Sequence, residues 1–409
     1  MRTVVTKKRA KKASRTGEGA LPLANRMSRL GTESAFDVLV RARALEASGQ
    51  HVIHLEIGEP DFPTAPHIIE AAAQAMRDGF THYGPPAGFP QLREAIAEDA
   101  GRRRGVRFDP AQVVVTPGAK PIMFYTILAL VNRGDEVLYP NPGFPIYESM
   151  INFVGGRGVP YALAEDRDFD VDVEEILDKL SDRTRLVILN SPHNPTGGVM
   201  SGAQVRALAE GLLRRDVMVL SDEVYNQLIF EGEHASLVQF PGMQKKTILL
   251  DGFSKTYAMT GWRLGYGIMR NDLAQQVARL MTNSNSCTAS FSQMAALAAL
   301  RGDQSGVAAM RAEFLRRRAV MVDGLNQIPG FRCRTPHGAF YVFPNITRTG
   351  KGSKALADAI LNEAGVACLS GTAFGDWGEG YLRFSYANSV ENIREALDRI
   401  EDWVQKNTG

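Results

Sequence analysis

The chemistry of this chain centres on a lysine that follows an apolar run. Residues TILLDG (247–252) are typical of a buried strand, Lys255 comes three residues after them, and Arg263 follows eight residues later. An exposed loop lysine is the ordinary interpretation, because most lysines lie at the surface. A lysine at the end of a buried strand is costly, however, unless its amine is used, and a lysine amine can form a Schiff base with a carbonyl compound.

Three further apolar runs end in residues that could share a site with this lysine. They lead into TPGAK (116–120), NSPHNPTGG (190–198) and SDEVY (221–225). Ligands of open α/β sheets bind beyond the carboxyl ends of the strands, so we expect these segments to converge on one crevice. Taken alone, each segment has a structural explanation as a turn, a helix cap or a surface ion pair.

Together the four segments supply the groups that pyridoxal phosphate requires. The lysine would form a Schiff base with the aldehyde, and the carboxylate would keep the pyridine nitrogen protonated. A small-residue turn that opens a helix would bind the phosphate through backbone N–H groups, helped by the arginine. The sequence therefore predicts a pyridoxal phosphate site.

The elements that must position these segments alternate between strand and helix. The four apolar runs lack polar alternation, as strands buried on both faces do, and DEVLYPNPG (135–143) is a fifth candidate. Helical patterns lie between them, which predicts an α/β fold with a mainly parallel sheet flanked by helices. After about residue 300, a long charged helix, two hairpin-like pieces (GAFYVFPNI and GYLRFSYA) and a final helix predict a smaller α+β domain.

Composition and charge narrow the classes of function. The 409 residues carry a net charge of +2, but residues 1–17 hold seven Lys and Arg and no acid, which leaves −5 for the remainder. We expect no nucleic-acid binding by the folded body. We expect the tail to be disordered, with contact to nucleic acid or a membrane surface, or a targeting signal, as the alternatives. The three cysteines are isolated, which fits a reducing, cytoplasmic location. The sequence has no metal-ligand motif and no membrane-spanning run.

Eight motifs follow one another from about residue 27 to the end of the chain. They are IGEPDFPT (57–64), HYGPPAGFPQLREAIA (82–97), TPGAK (116–120), PNPGFPIY (140–147), NSPHNPTGG (190–198), SDEVY (221–225), SKTYAMTGWRLGYG (254–267) and YLRFSYA (381–387). In this order and spacing the sequence resembles the class I/II pyridoxal phosphate-dependent aminotransferases of fold type I, particularly the branch with bacterial aspartate aminotransferases.

The resemblance implies a role for each matching residue. Lys255 would be the catalytic residue, which holds the cofactor as an aldimine and moves the proton. Asp222 would bind the pyridine nitrogen, and Tyr225 and Asn194 would donate to the ring oxygen. The other implied cofactor contacts are Tyr83, Gly118, Ala119, Lys120, Phe144, Ser254 and Arg263.

The substrate contacts follow from the same resemblance. Arg383 would bind the α-carboxylate through a bidentate contact of its guanidinium. Gly58, Phe144 and Asn194 would complete this part of the site. Tyr83 would reach the cofactor of a neighbouring subunit, which implies a homodimer with shared active sites.

Two positions depart from the family pattern. One is Gly252, where many relatives have a serine, and the other is the stretch NSCTA (285–289). The resemblance also implies four segments, namely a basic tail (1–26), an N-terminal arm that packs on the small domain and the dimer partner (27–58), a large cofactor-binding domain (59–300) and a small domain (301–409).

The predicted function is the transfer of an amino group from an L-amino acid to a 2-oxo acid by a ping-pong mechanism. Aspartate and 2-oxoglutarate are the substrates that we predict, with Lys120 as the cation that binds the distal carboxylate. An equal interpretation of Lys120 is a solvated lysine at the start of a helix. Aminotransferases for aromatic amino acids, alanine or other neutral amino acids, and C–S lyases of the same fold, stay open. A transcription regulator is disfavoured because residues 1–26 are too short for a DNA-binding domain.

Overall fold

The computed structural model describes residues 21–407, so most of the predicted basic tail lies outside the described residues. The described part of the chain contains twelve α-helices. They are α1 (Ser34–Ala47), α2 (Pro66–Arg77), α3 (Pro90–Arg104), α4 (Lys120–Leu130), α5 (Ile146–Val154), α6 (Val173–Asp178), α7 (Gly202–Leu213), α8 (Asn271–Ser284), α9 (Ser290–Arg301), α10 (Ser305–Leu325), α11 (Ser353–Ala359) and α12 (Val390–Asn407). Within residues 21–407, no helix has the length and apolar character needed to cross a bilayer.

The same range contains twelve β-strands. They are β1 (Ile53–His54), β2 (Val113–Thr116), β3 (Glu136–Asn141), β4 (Arg157–Ala162), β5 (Thr184–Asn190), β6 (Met218–Asp222), β7 (Thr247–Gly252), β8 (Gly265–Ile268), β9 (Tyr341–Val342), β10 (Val366–Ala367), β11 (Leu369–Ser370) and β12 (Leu382–Ser385).

Seven of these strands form the central sheet, in the order β2-β8-β7-β6-β5-β3-β4. The five strands from β7 to β4 run parallel to one another, whereas β8 is antiparallel to both β7 and β2. Every residue of β2, β3, β7 and β8 is buried, as expected for strands covered by helices on both faces. The predicted α/β fold with a mainly parallel sheet is confirmed.

The apolar runs located five of the seven strands, and β4 and β8 were missed. The sequence of β8 is GYGI and that of β4 is RGVPYA, and glycine and proline are depleted in strands. Proline has no backbone N–H group to donate to a neighbouring strand. Pro160 is tolerated in β4 because that strand forms the edge of the sheet and has no neighbour on its outer side.

The C-terminal part of the chain builds smaller sheets between long helices. Strands β9 and β12 are antiparallel neighbours, with Ser385 opposite Tyr341, and β11 pairs with the other side of β12. The two hairpin-like pieces of the sequence are therefore adjacent strands, although no single turn joins them. Near the N-terminus, β1 pairs in parallel with β10, so residues 53–54 lie against this region. The limits of the four predicted segments stay predictions.

A buried ionic network connects β6, β7 and β8. Arg104, the last residue of α3, donates from Nε and Nη2 to Glu223 Oε2 at 2.9 and 2.7 Å. Asp251 lies 3.5 Å from the same guanidinium and accepts hydrogen bonds from Asn226 at 2.7 Å and Tyr266 at 2.9 Å. Burial opposes the ionisation of Glu223, but the positive charges around it outweigh that effect and hold its pKa well below the usual range. These buried charges are tolerated because each has partners.

Two glycines let the turn before α4 lie directly on the sheet. Gly252 and Gly265 are paired across β7 and β8. A Cβ atom on Gly265 would lie 2.3 Å from the backbone nitrogen of Ala119, so no side chain fits there. At Gly252 a Cβ would lie 3.2 Å from the Cα of Gly265, which leaves little room for a side chain.

We expect the substitution Gly265→Ala to destabilise the protein by about 3 kcal/mol, because the added methyl group meets backbone that cannot move aside. The matched control is Gly202→Ala in the first turn of α7, where a Cβ meets no described heavy atom within 4 Å. That variant should be more stable than the parent by roughly 0.5–1 kcal/mol. Urea unfolding midpoints measure both changes, and an unchanged midpoint for Gly265→Ala would contradict this account of the packing.

Candidate active site

A cavity of about 570 Å³ opens at the carboxyl ends of the central strands. Its wall includes most of the site residues predicted from the sequence, which come from segments far apart in the chain. The predicted residues that line it are Gly58, Ala119, Lys120, Phe144, Asn194, Asp222, Tyr225, Ser254, Lys255, Arg263 and Arg383. Their convergence satisfies the geometric condition for a shared site, and their individual roles stay predictions.

Asp222 is the last residue of β6 and is almost fully buried. Tyr147, from the first turn of α5, donates a hydrogen bond to its Oδ2 atom at 2.6 Å, and the backbone N–H of Val224 donates to Oδ1 at 3.3 Å. Burial raises the pKa of the carboxyl group to about 6, and these two hydrogen bonds oppose that rise. A cationic N–H group in the cavity would stabilise the ionised carboxylate further.

Lys255 lies beyond the end of the neighbouring strand, β7, and its amine donates to the backbone carbonyl of Gly58. The amine is also 5.6 Å from the ring centre of Phe340 and 5.9 Å from that of Tyr225. Burial lowers the pKa of the amine to about 8, although Glu33 and Glu59 act in the opposite direction. At neutral pH the neutral, nucleophilic form is therefore far more populated than in an ordinary lysine.

Arg383, on β12, also lines the cavity and is almost fully buried. Its Nη1 atom donates to Asn194 Oδ1 at 3.2 Å, its Nη2 atom donates to the Glu56 carbonyl, and its guanidinium lies 4.4 Å from the ring centre of Tyr341. The Nε atom is buried without a hydrogen-bond partner among residues 21–407. A buried guanidinium with spare donors is suited to a planar carboxylate.

The turn before α4 and the side chain of Arg263 form a candidate anion site. Gly118 has a φ angle of +88°, which favours glycine, and a Cβ atom on it would lie 2.3 Å from Nη2 of Arg263 and would displace the guanidinium. Arg263 has a φ angle of +54° and donates to the Thr260 carbonyl at 2.8 Å. The N-terminus of α4 and this arginine place positive charge on one side of the cavity, beside Ser254.

Two predicted residues lie apart from the cavity wall, and several unpredicted ones lie on it. Tyr83 is 88% exposed, and Gly118 packs against the guanidinium of Arg263. The unpredicted wall residues that matter most are Tyr147, Tyr341, Glu33 and Phe36. Tyr147 belongs to the motif PNPGFPIY and could have been found there. Tyr341 forms a hydrogen bond with Tyr225 at 2.8 Å, and no local sequence pattern indicates that contact or the position of Glu33.

The cavity of this α/β fold brings an acid and an amine from the ends of adjacent parallel strands together with two arginines, which is an arrangement suited to small anionic ligands. The chain belongs to the aminotransferase class I and II family, whose family model matches residues 50–400. It is therefore an aminotransferase, and its substrates are amino acids and 2-oxo acids. Members of this family generally depend on pyridoxal phosphate.

Relatives in three organisms illustrate the similarity. The chain is 40% identical to an aspartate aminotransferase of Pyrococcus abyssi, over 87% of this chain and 92% of that protein. It is 39% identical to aromatic-amino-acid aminotransferase 2 of Thermococcus litoralis, over 86% of this chain and 91% of that protein. The solved structure of the aspartate aminotransferase of Thermus thermophilus with maleate has a TM-score of 0.90, with 34% identity over 94% of this chain and 100% of that one.

The lowered pKa of Lys255 predicts an unusual pH dependence of its chemical modification. In the protein freed of any cofactor, the rate at which trinitrobenzenesulfonate labels Lys255 should rise with a midpoint near pH 8, because only the neutral amine reacts. In the urea-unfolded protein the midpoint should move to about 10.4, the ordinary value for lysine. Peptide mass spectrometry measures both curves, and coincident midpoints would refute the effect of burial.

Proposed function

We propose that Lys255 is the catalytic residue of a pyridoxal phosphate-dependent amino transfer in this cavity. The observation that carries the proposal is that the Lys255 amine and the buried Asp222 carboxyl group, from the ends of β7 and β6, line one cavity. An amine with a pKa of about 8 is reactive at physiological pH, and a buried carboxylate is stabilised by a protonated ring nitrogen.

The residues around the cavity fit the cofactor. The donor N–H groups before α4, together with Ser254 and Arg263, suit its phosphate, and Asp222 suits its ring nitrogen. Asn194 and Tyr225 suit its ring oxygen, and Phe144 offers an aromatic face. When bound, the cofactor supplies an aldehyde for the amine and a ring that accepts the electron pair of the broken Cα–H bond.

The chain's own residues would perform the remaining tasks. Arg383 would bind the α-carboxylate and thereby turn the Cα–H bond towards Lys255. The Nζ atom of Lys255 would take the proton from the substrate and return it, as a general base and then a general acid. The burial of Asp222 and Arg383 would exclude water, which strengthens both interactions.

The function is tested by mixing the cofactor-loaded protein with single amino acids. An aminotransferase shifts its visible absorption towards that of the amine form of the cofactor, forms at most one equivalent of the matching 2-oxo acid, and releases no ammonia without a 2-oxo acid acceptor. Lys255→Ala should lower the rate of this half-reaction about 1,000-fold, within the range for loss of a general acid–base group. Ammonia release without an acceptor would favour a C–S lyase instead.

The hydrogen bond from Tyr147 to Asp222 leads to a second prediction for the loaded protein. Tyr147→Phe removes a donor that favours the ionised carboxylate, so the pKa of Asp222 should rise further. The ionised form is lost as pH falls, and cofactor retention in Tyr147→Phe should therefore be lost at a higher pH than in the parent. Equilibrium dialysis between pH 5 and 8 measures this, and superimposable retention curves would argue against the role of Tyr147.

Aspartate and 2-oxoglutarate are our preferred substrates, with Lys120 as the cation for the distal carboxylate. The name of the Pyrococcus relative supports this choice. A second candidate, transfer from aromatic amino acids, is favoured by the two rings near Lys120: its ammonium lies 5.2 Å from the ring centre of Phe144 and 6.0 Å from that of Phe36. Comparison of kcat/KM for aspartate and phenylalanine separates the two candidates.

A homodimer with shared active sites is part of the proposal, as are the four predicted segments. The support is Tyr83, which is 88% exposed although the family pattern gives it a cofactor contact. Mixing inactive Lys255→Ala and Tyr83→Ala chains should restore activity above that of either variant if the sites are shared. A single-chain mass by light scattering would rule the dimer out. The cytoplasmic location stays a prediction.

A further inference from the structure

Glu33 occupies a helix-capping position without capping the helix. It immediately precedes α1, where a short polar side chain usually accepts a hydrogen bond from a free backbone N–H group. Within the described residues, the side chain of Glu33 makes no such bond. Its carboxylate instead forms an ion pair with the ammonium group of Lys120, the first residue of α4.

The ion pair forms one end of the cavity. Both side chains line it, as do the rings of Phe36 and Phe144 beside the ammonium group. Because Glu33 balances the charge of Lys120, this end presents two aromatic rings and a neutralised ion pair. Glu59, which also lines the cavity, accepts a hydrogen bond from the hydroxyl of Thr260 instead.

This arrangement treats acidic and neutral side chains differently. A substrate carboxylate that reaches Lys120 must displace Glu33 or share one ammonium group with it, and two carboxylates in contact repel each other. An apolar side chain can lie against the rings while the ion pair stays intact. The Lys120 and Glu33 side chains are 48% and 22% exposed, so the pair contributes at most about 1 kcal/mol and can be exchanged.

We propose that Glu33 is a specificity-determining residue whose carboxylate competes with the side-chain carboxylate of an acidic substrate for the ammonium group of Lys120. The enzyme thereby accepts acidic and aromatic amino acids, and Glu33 sets the ratio between them. This inference rests on the proposed function, because it takes the cavity as the substrate site.

The test compares two non-reacting ligands of the cofactor-loaded protein, namely maleate, with two carboxylates, and 3-phenylpropanoate, with one carboxylate and a ring. Glu33→Gln keeps the size of the side chain and removes its charge. We expect the dissociation constant of maleate, relative to that of 3-phenylpropanoate, to fall about fivefold in this variant. The ratio of kcat/KM for aspartate over phenylalanine should rise by a similar factor.

Two controls assign the effect to competition for Lys120. Glu59→Gln removes the same charge from the same cavity but leaves the ion pair, and it should change the ligand ratio less than twofold. In a Lys120→Gln background, Glu33→Gln should no longer favour maleate. A ratio within twofold of the parent in Glu33→Gln, or an equal response in Glu59→Gln, would overturn the proposal.

These outcomes are distinct from failure of the proposed function. Binding of the two ligands is measured by calorimetry and requires no turnover. If the protein retains the cofactor and transfers amino groups, but the ratio of the two dissociation constants does not change in Glu33→Gln, the proposed function stands and the proposed role of Glu33 is wrong. A protein without amino transfer would fail the earlier test instead.

Discussion

The burial of opposite charges at the ends of two neighbouring strands is the constraint on which the rest of the structure depends. Asp222 and Lys255 are both withdrawn from water, and burial moves the pKa of each towards neutrality. Burial does not stabilise the charged form of either group in the absence of a ligand, so the surrounding structure must hold both side chains in place. The buried pairing of Arg104 with Glu223 and Asp251 fixes the strand ends from the far side.

The close contact between the turn before α4 and β8 connects the sheet to the anion-binding side of the cavity. Gly265 lets the backbone of Ala119 rest on the strand, and Gly118 leaves room for the guanidinium of Arg263. A side chain at Gly265 would push the turn away from the sheet, and a side chain at Gly118 would displace the guanidinium of Arg263. Because the contact is made by backbone atoms, the position of the donor N–H groups is set by the fold rather than by flexible side chains.

The sequence was most informative where local pattern and chemistry coincide. Five apolar runs located the strands, and the residues after them included the lysine and the acid of the cavity. The strand β8 was missed because GYGI carries little strand signal, and its place is fixed by contact with β2 and β7. Glu33 was missed for a related reason: its partner Lys120 is distant in sequence, and no local pattern reports such a contact.

The location of Glu33 has a consequence for how enzymes on this scaffold diverge. The residue belongs neither to the central sheet nor to the buried interior, and it stands on the segment that leads into α1. A duplicated gene can therefore acquire exchanges at this position without losing folded protein or the reacting groups. Selectivity can therefore change through the N-terminal segment while the catalytic interior keeps its residues.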